Sequence, residues 1–298
     1  MDGSSPGPHF PCQSLAALKN MLPTPSTSHV DYDYIYEPAE DSYLLLDTLS
    51  SAPETAFLRA RFPTATSPPP LVVEIGSGSG VVLAFTNAHA ERILGRSDAL
   101  TLGVDVNQLA CQATVATVRY AVAAAAETPI SKGDEPVDSG CSNGHITAPK
   151  RAEAVGKPAQ FLDCLNGDLT TMLRPHSVDI LVFNPPYVPT ETLPHHTDAA
   201  ALDEFAPEAL FGRNAHLLAL SYAGGIDGME TTDRLLDQLP DVLGPRGVAY
   251  VLLCRQNRPE AVKERVRSWP GGWRAETVGT SGKKAGWEKL AVLRIWRA

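Results

Sequence analysis

Asn184-Pro185-Pro186-Tyr187 is the stretch whose residue types could do chemistry. A side-chain amide oxygen and a backbone carbonyl are both hydrogen-bond acceptors, and two acceptors can grip an NH2 group and fix its plane. An amide nitrogen is a poor nucleophile because its lone pair is delocalised into the carbonyl. Methyl transfer to it needs that lone pair aligned with the bond that breaks. The Asn184 oxygen is the first acceptor expected. A carbonyl of the diproline is the second, with Pro185 preferred. Prolines fix φ and remove competing donors, so the acceptors stay rigid. Tyr187 offers a flat face for a planar group. The rate gain then comes from positioning and electrostatic fit. None of His195, His196, Asp198 or Asp203 is needed as a base. A plain strand-closing turn is the bland alternative, since Asn-Pro is common in turns.

Glu74-Ile75-Gly76-Ser77-Gly78-Ser79-Gly80 is the second candidate. Gly76, Gly78 and Gly80 would let backbone approach a ligand closely. The helix that follows would offer free N–H groups to a carboxylate or phosphate. The dinucleotide pattern G-x-G-x-x-G needs glycine at position 81, and Val81 stands there. The run E-x-G-x-G-x-G, with Glu74 at its head, fits S-adenosylmethionine better than NAD. Asp105 ends a second apolar run and could accept a ribose hydroxyl pair. Asp168 follows a third and could accept an adenine amino group.

These residues need elements to position them. Leu71–Ile75, Leu102–Val106, Gln160–Leu165, Val178–Phe183 and Gly247–Cys254 read as strands. Helices are expected over 38–49, 81–94, 108–126, 230–243 and 259–269. Trp273–Val278 and Lys289–Trp296 follow with no helix between them, as an antiparallel pair would. Alternating strands and helices imply a parallel sheet with helices on both faces. The expected fold is α/β: a Rossmann-like, seven-stranded, mostly parallel sheet with a terminal antiparallel hairpin, as in class I methyltransferases. Residues 1–30 are rich in Pro, Ser and Gly and read as a flexible leader, with Met21 a second candidate start. Residues 31–298 read as one domain carrying a mobile insertion at 128–158. Residues 188–225 read as a long mixed loop.

Net charge is −9, from 25 basic and 34 acidic residues, which disfavours direct contact with nucleic acid. The five cysteines are scattered with no C-x-x-C pair, so neither a zinc site nor a disulfide framework is expected. No apolar run of about 18 residues that would span a bilayer stands out. The N-terminus lacks the signal-peptide pattern. The chain is expected in the cytoplasm, with the nucleus as a second compartment.

Taken together, four stretches resemble the HemK-like protein-glutamine N5-methyltransferases, in the fungal-type branch acting on eukaryotic class-1 release factors. They are Tyr36-Glu37-Pro38-Ala39-Glu40-Asp41-Ser42, the glycine run from Glu74, Asn184-Pro185-Pro186-Tyr187-Val188 and Gly224-Gly225-Ile226-Asp227-Gly228. The resemblance implies methylation of the glutamine in a Gly-Gly-Gln tip. It implies cofactor contacts at Ser42, Glu74, Gly76, Asp105, Asp168, Leu169 and Asn184, with the helix 38–49 over the methionine end. It also implies a small zinc-binding activator as partner. The third strand, 160–165, should be an apolar sheet edge open to strand addition, so it is the expected docking edge. The release factor's GTPase partner could accompany the substrate. Three other readings compete: N6-adenine methylation of nucleic acid, protein-lysine methylation, and a non-catalytic binding module. The first would need base flipping and a target-recognition surface.

Overall fold

Short β-branched runs bounded by turn residues form strands buried on both faces. The computed structural model describes residues 22–64, 66–127, 157–192, 218–282 and 289–298. In it the strands are β1 (Leu71–Ile75), β2 (Leu100–Asp105), β3 (Gln160–Asn166), β4 (Val178–Phe183), β5 (Leu243–Cys254), β6 (Trp273–Thr280) and β7 (Leu290–Arg297). The helices are α1 (Glu40–Ser50), α2 (Ala52–Arg61), α3 (Val81–Ala88), α4 (Ala90–Leu94), α5 (Gln108–Glu127), α6 (Glu230–Val242) and α7 (Pro259–Arg267). The strands form one sheet in the order β3-β2-β1-β4-β5-β7-β6. The first five run parallel, and β7 is antiparallel to both of its neighbours. This is the class I methyltransferase sheet that the sequence predicts.

The order reverses between β1 and β4. From β1 the chain winds outward to β2 and β3, then returns to the other side. Loops leaving the carboxyl ends of β1 and β4 therefore diverge and leave a crevice, which is where ligands bind in such sheets. One face is covered by α1 to α4, with Leu45, Leu49, Phe62, Phe85 and Ile93 packed on Tyr250 and Val292. The other is covered by α6 and α7, through Leu235, Leu236, Leu239, Val262 and Val266. Both cores are closed, so the crevice sits at one end of a rigid slab.

Three expectations change. Residues 81–94 form two helices rather than one. The break is His89, a buried residue whose Nε2 lies 2.9 Å from the Pro23 carbonyl. Burial, partly opposed by that hydrogen bond, holds its pKa below the usual histidine value. Pro23 belongs to the second change: residues 22–30, read as part of the leader, pack on the domain. Leu22 touches the first core, and Val30 is buried with Ile35 and Ala110. The His29 ring meets Thr117 Oγ1 at 3.1 Å and Tyr120 edge-on.

The third change concerns α5. Residues Gln108–Ala126 have a mean hydropathy of 1.3, long and apolar enough to cross a bilayer by length and composition alone. The sequence reading missed this because alanine, not leucine, supplies the apolar character. Val118 and Ala121 of α5 pack on Leu83, Ala84 and Ala88 of α3, as a core helix does. Residues 1–21 of the leader and 128–156 of the insertion lie outside the described residues, as do 193–217 with His195, His196, Asp198 and Asp203.

Candidate functional site

A cavity opens beyond the carboxyl ends of β1, β2 and β4. Its wall includes Ser42, Glu74, Gly76, Gly78, Asp105, Asp168, Leu169, Asn184, Pro185, Pro186 and Tyr187. The structure thus brings all but one of the expected site residues to one place. The exception is Gly80.

Gly76, Gly78 and Gly80 all have positive φ, at 62°, 53° and 77°. Their surroundings differ. A Cβ on Gly78 would meet nothing within 4 Å, because it would point into open space. A Cβ on Gly80 would lie 2.6 Å from Thr114 Cα. Gly80 lets α3 cross close to α5 and does not line the cavity. The glycine run therefore divides: its first part lines the cavity and its last packs two helices.

Asp105 organises the loop around itself. Its Oδ2 accepts from Gly78 N at 2.9 Å, and its Oδ1 accepts from Asn107 N at 2.8 Å. A carboxylate oxygen can accept more than one hydrogen bond, which is the chemistry a ribose hydroxyl pair requires. Glu74 is fully buried. Its Oε2 accepts from Leu83 N at 2.8 Å, which ties β1 to the first turn of α3. Burial pushes the Glu74 carboxyl well above its usual range. The Leu83 N–H opposes this, and the nearby Asp105 charge adds to it. Asp168 forms an ion pair with Arg234 of α6, which also lines the cavity. Leu169 is buried and held at φ 51°.

The residues present fit S-adenosylmethionine. An open cradle at Gly78, two strand-end carboxylates and a buried acceptor face one space. Sequence reasoning missed part of the wall. Tyr34, Ile35 and Tyr36 also line the cavity, and Asn107 Nδ2 donates to the Tyr34 carbonyl at 3.0 Å. An irregular segment leaves no periodic signal to read.

At the chemical end, β4 delivers Asn184 straight into the cavity. Asn184 Nδ2 donates to Asp41 Oδ2 at 3.1 Å. Asn184 Oδ1 is buried and has no hydrogen-bond partner. A buried acceptor left unpaired is costly, so a native site that keeps one implies a donor that arrives. Asp41 is 2% exposed. In the sequence it stands inside the Tyr36–Ser42 stretch, and nothing local announces a partner 143 positions away.

The tetrapeptide is held from behind by the Gly224–Gly228 loop. Val188 N donates to the Tyr222 carbonyl at 3.0 Å, and Gly224 N to the Val188 carbonyl at 2.8 Å. The Pro186 carbonyl lies against Gly224 of this loop. A Cβ on Gly228 would come within 2.1 Å of the Tyr187 carbonyl, so only glycine fits. Buried Asn257 closes the arrangement. Its Nδ2 reaches the carbonyls of Tyr187, Asp227 and Gly228 at 3.0–3.2 Å.

No family model matches the chain. The eRF1 methyltransferase catalytic subunit mtq2 of Schizosaccharomyces pombe is 31% identical over 280 residues, covering 93% of this chain and 96% of that protein. Methyltransferase HEMK2 of Homo sapiens is 29% identical over 279 residues, covering 92% of this chain and 97% of that protein. The release factor glutamine methyltransferase of Caulobacter vibrioides is 36% identical over 87 residues, 29% of this chain and 26% of that protein.

Proposed function

The chain belongs to the HemK-like protein-glutamine methyltransferases, in the eukaryotic release-factor branch, and on that premise we propose that its substrate is the glutamine of the Gly-Gly-Gln tip of the class-1 release factor. The methyl group passes to the side-chain amide nitrogen as its bond to the sulfonium sulfur breaks, the sulfur leaves as a neutral thioether, and the nitrogen releases one of its two protons to water. The observation that carries this reading is the buried, unpaired Asn184 Oδ1 at the cavity wall. It is an acceptor waiting for an N–H.

S-adenosylmethionine supplies an electrophilic methyl group on a sulfonium. The chain's own residues bind and orient. The Gly76–Gly78 turn leaves room for the ligand, Asp105 and Asp168 offer carboxylate oxygens, and Ser42 and Leu169 close the wall. Asn184 Oδ1 would take one N–H of the glutamine amide and the Pro185 carbonyl the other, while Tyr187 stacks on the amide plane. Fixing the plane supports reaction by orientation rather than by a strong base.

The catalytic chain would work with a small zinc-binding activator. What supports this is the outer place of β3 in the sheet, where among the described residues β2 is its one strand neighbour. Leu162 on β3 is 46% exposed, and Tyr120 and Leu109 of the adjoining α5 are also exposed. An apolar, unpaired edge favours addition of a partner strand.

The test is methyl transfer from labelled cofactor to purified release factor, with the chain co-expressed with the activator. Label is expected on the wild-type factor and lost when the tip glutamine is replaced. Equal labelling of the replaced factor overturns the proposal.

A further inference from the structure

The Asn184 side chain could sit in either of two orientations of nearly equal shape. In one, Oδ1 faces the cavity; in the other, the NH2 does. Only the first can receive a substrate N–H, because the second sets donors against donors. The covalent structure of asparagine does not choose between them. Oδ1 has no partner, so no contact at the oxygen chooses either.

The choice is made by Asp41, which lines the same cavity. Asp41 Oδ2 lies 3.1 Å from Asn184 Nδ2. An ionised carboxylate accepts hydrogen bonds and donates none. Reversing the amide would set its oxygen against the carboxylate oxygen inside a buried site. We propose that Asp41 is a positioning residue that fixes the Asn184 amide with Oδ1 toward the substrate nitrogen. This rests on the methyl-transfer reading of Asn184.

The surroundings of Asp41 suit that task. Its Oδ1 accepts from Ser42 N at 2.6 Å and from Ser42 Oγ at 3.3 Å, so the carboxylate is pinned to the first turn of α1. Tyr187 Oη lies 3.4 Å from Oδ2, at the other end of the tetrapeptide. The groups around the carboxylate are donors. A hydrogen bond to a carboxylate is charge-assisted and polarises its donor. Asn184 therefore carries more negative charge on Oδ1 than an isolated amide would. When the substrate nitrogen takes on a methyl group, its N–H becomes more positive and that contact strengthens. Interactions that strengthen toward the transition state raise turnover rather than ground-state affinity.

The alternative is an acid that only favours the N-terminus of α1. The two roles separate experimentally. Asp41→Asn is nearly isosteric but can present an oxygen or an NH2 to Asn184, so it no longer selects one orientation. In the full chain with its activator, kcat on the release factor is expected to fall about 10²-fold. KM for the factor, the cofactor Kd by calorimetry and the thermal midpoint should change little. The rescue is the exchange Asp41→Asn with Asn184→Asp. It returns an acceptor toward the substrate nitrogen and a donor between the two side chains, whereas Asn184→Asp alone sets two carboxylates face to face. The double variant should be about tenfold faster than either single variant, a coupling that additive damage cannot give.

A wild-type chain that leaves the release factor unlabelled overturns both readings. If wild type labels the factor, three results overturn the role of Asp41 alone. These are Asp41→Asn turning over as fast as wild type, strictly additive losses in the double variant, and a loss of cofactor affinity and thermal midpoint as large as the loss of kcat.

Discussion

Replacing Gly78 and Gly80 by alanine, one at a time, separates a ligand cradle from a helix contact. Both glycines have positive φ, so alanine at either is strained by about 1–2 kcal/mol. At Gly78 that is the whole stability cost, because the added methyl meets nothing within 4 Å. It would occupy space that the ligand needs. At Gly80 the methyl would lie 2.6 Å from Thr114 Cα and 3.0 Å from Thr114 Cβ, both anchored in α5. Overpacking against backbone adds about 1–3 kcal/mol. The expected losses are therefore about 1–2 kcal/mol for Gly78→Ala and about 2–5 kcal/mol for Gly80→Ala. Urea unfolding without cofactor reads these directly, and calorimetry with S-adenosylmethionine reads the affinity of the folded chain. Gly78→Ala should lose more affinity than stability, and Gly80→Ala the reverse. Equal unfolding midpoints for the two variants would refute the division. So would a Gly80→Ala chain of normal stability that no longer binds cofactor.

Asn184→Ala should lower turnover about 10²–10³-fold while weakening cofactor binding less than Asp105→Ala does. Asp105→Ala should weaken cofactor binding more, since Gly78 N and Asn107 N both lose their acceptor; equal loss of affinity in the two variants, by calorimetry, contradicts this. Glu74→Gln tests a pH effect. A carboxyl with a raised folded pKa contributes stability that is full below its ordinary value of 4.5 and is lost as pH rises through the folded value. Glutamine keeps an oxygen for Leu83 N, so the variant should gain on wild type in urea midpoint as pH rises above 4.5, and a pH-independent difference would remove the effect. Leu162→Asp should leave the chain's own midpoint unchanged and weaken retention of the activator about 10–100-fold in a pull-down titration. Full retention argues against docking at β3.

The sheet was legible because each strand is a short apolar run with a turn after it. Leu71–Ile75 and Val178–Phe183 match their predicted bounds. At β5 the predicted start, Gly247, misses four residues, because Leu243-Gly244-Pro245-Arg246 reads as a turn, while in the structure Leu243 pairs with Val178. The chemical residues were legible where they stand next to one another, as in Asn184–Tyr187. The groups that hold them were not. Asp41, Asn107 and Asn257 act on partners 143, 73 and 70 positions away, and pairing at that distance depends on the folded sheet rather than on spacing. Gly80 failed differently. Like Gly78 it follows a serine in the same run, and only the approach of α5 gives it a different task.

The Asn257 clamp has a consequence for the order in which the chain becomes competent. The tetrapeptide emerges from the ribosome soon after β4, but the amide that fixes the Tyr187 carbonyl follows 70 residues later. Domains fold from the N-terminus as they are made, and contacts distant in sequence close late. A nascent chain that has passed Tyr187 already carries every residue the sequence assigns to cofactor or substrate. It still has no rigid grip, because β5 and the turn after it have not arrived to seat Asn257. Competence is therefore expected late in synthesis, when most of the chain has been made.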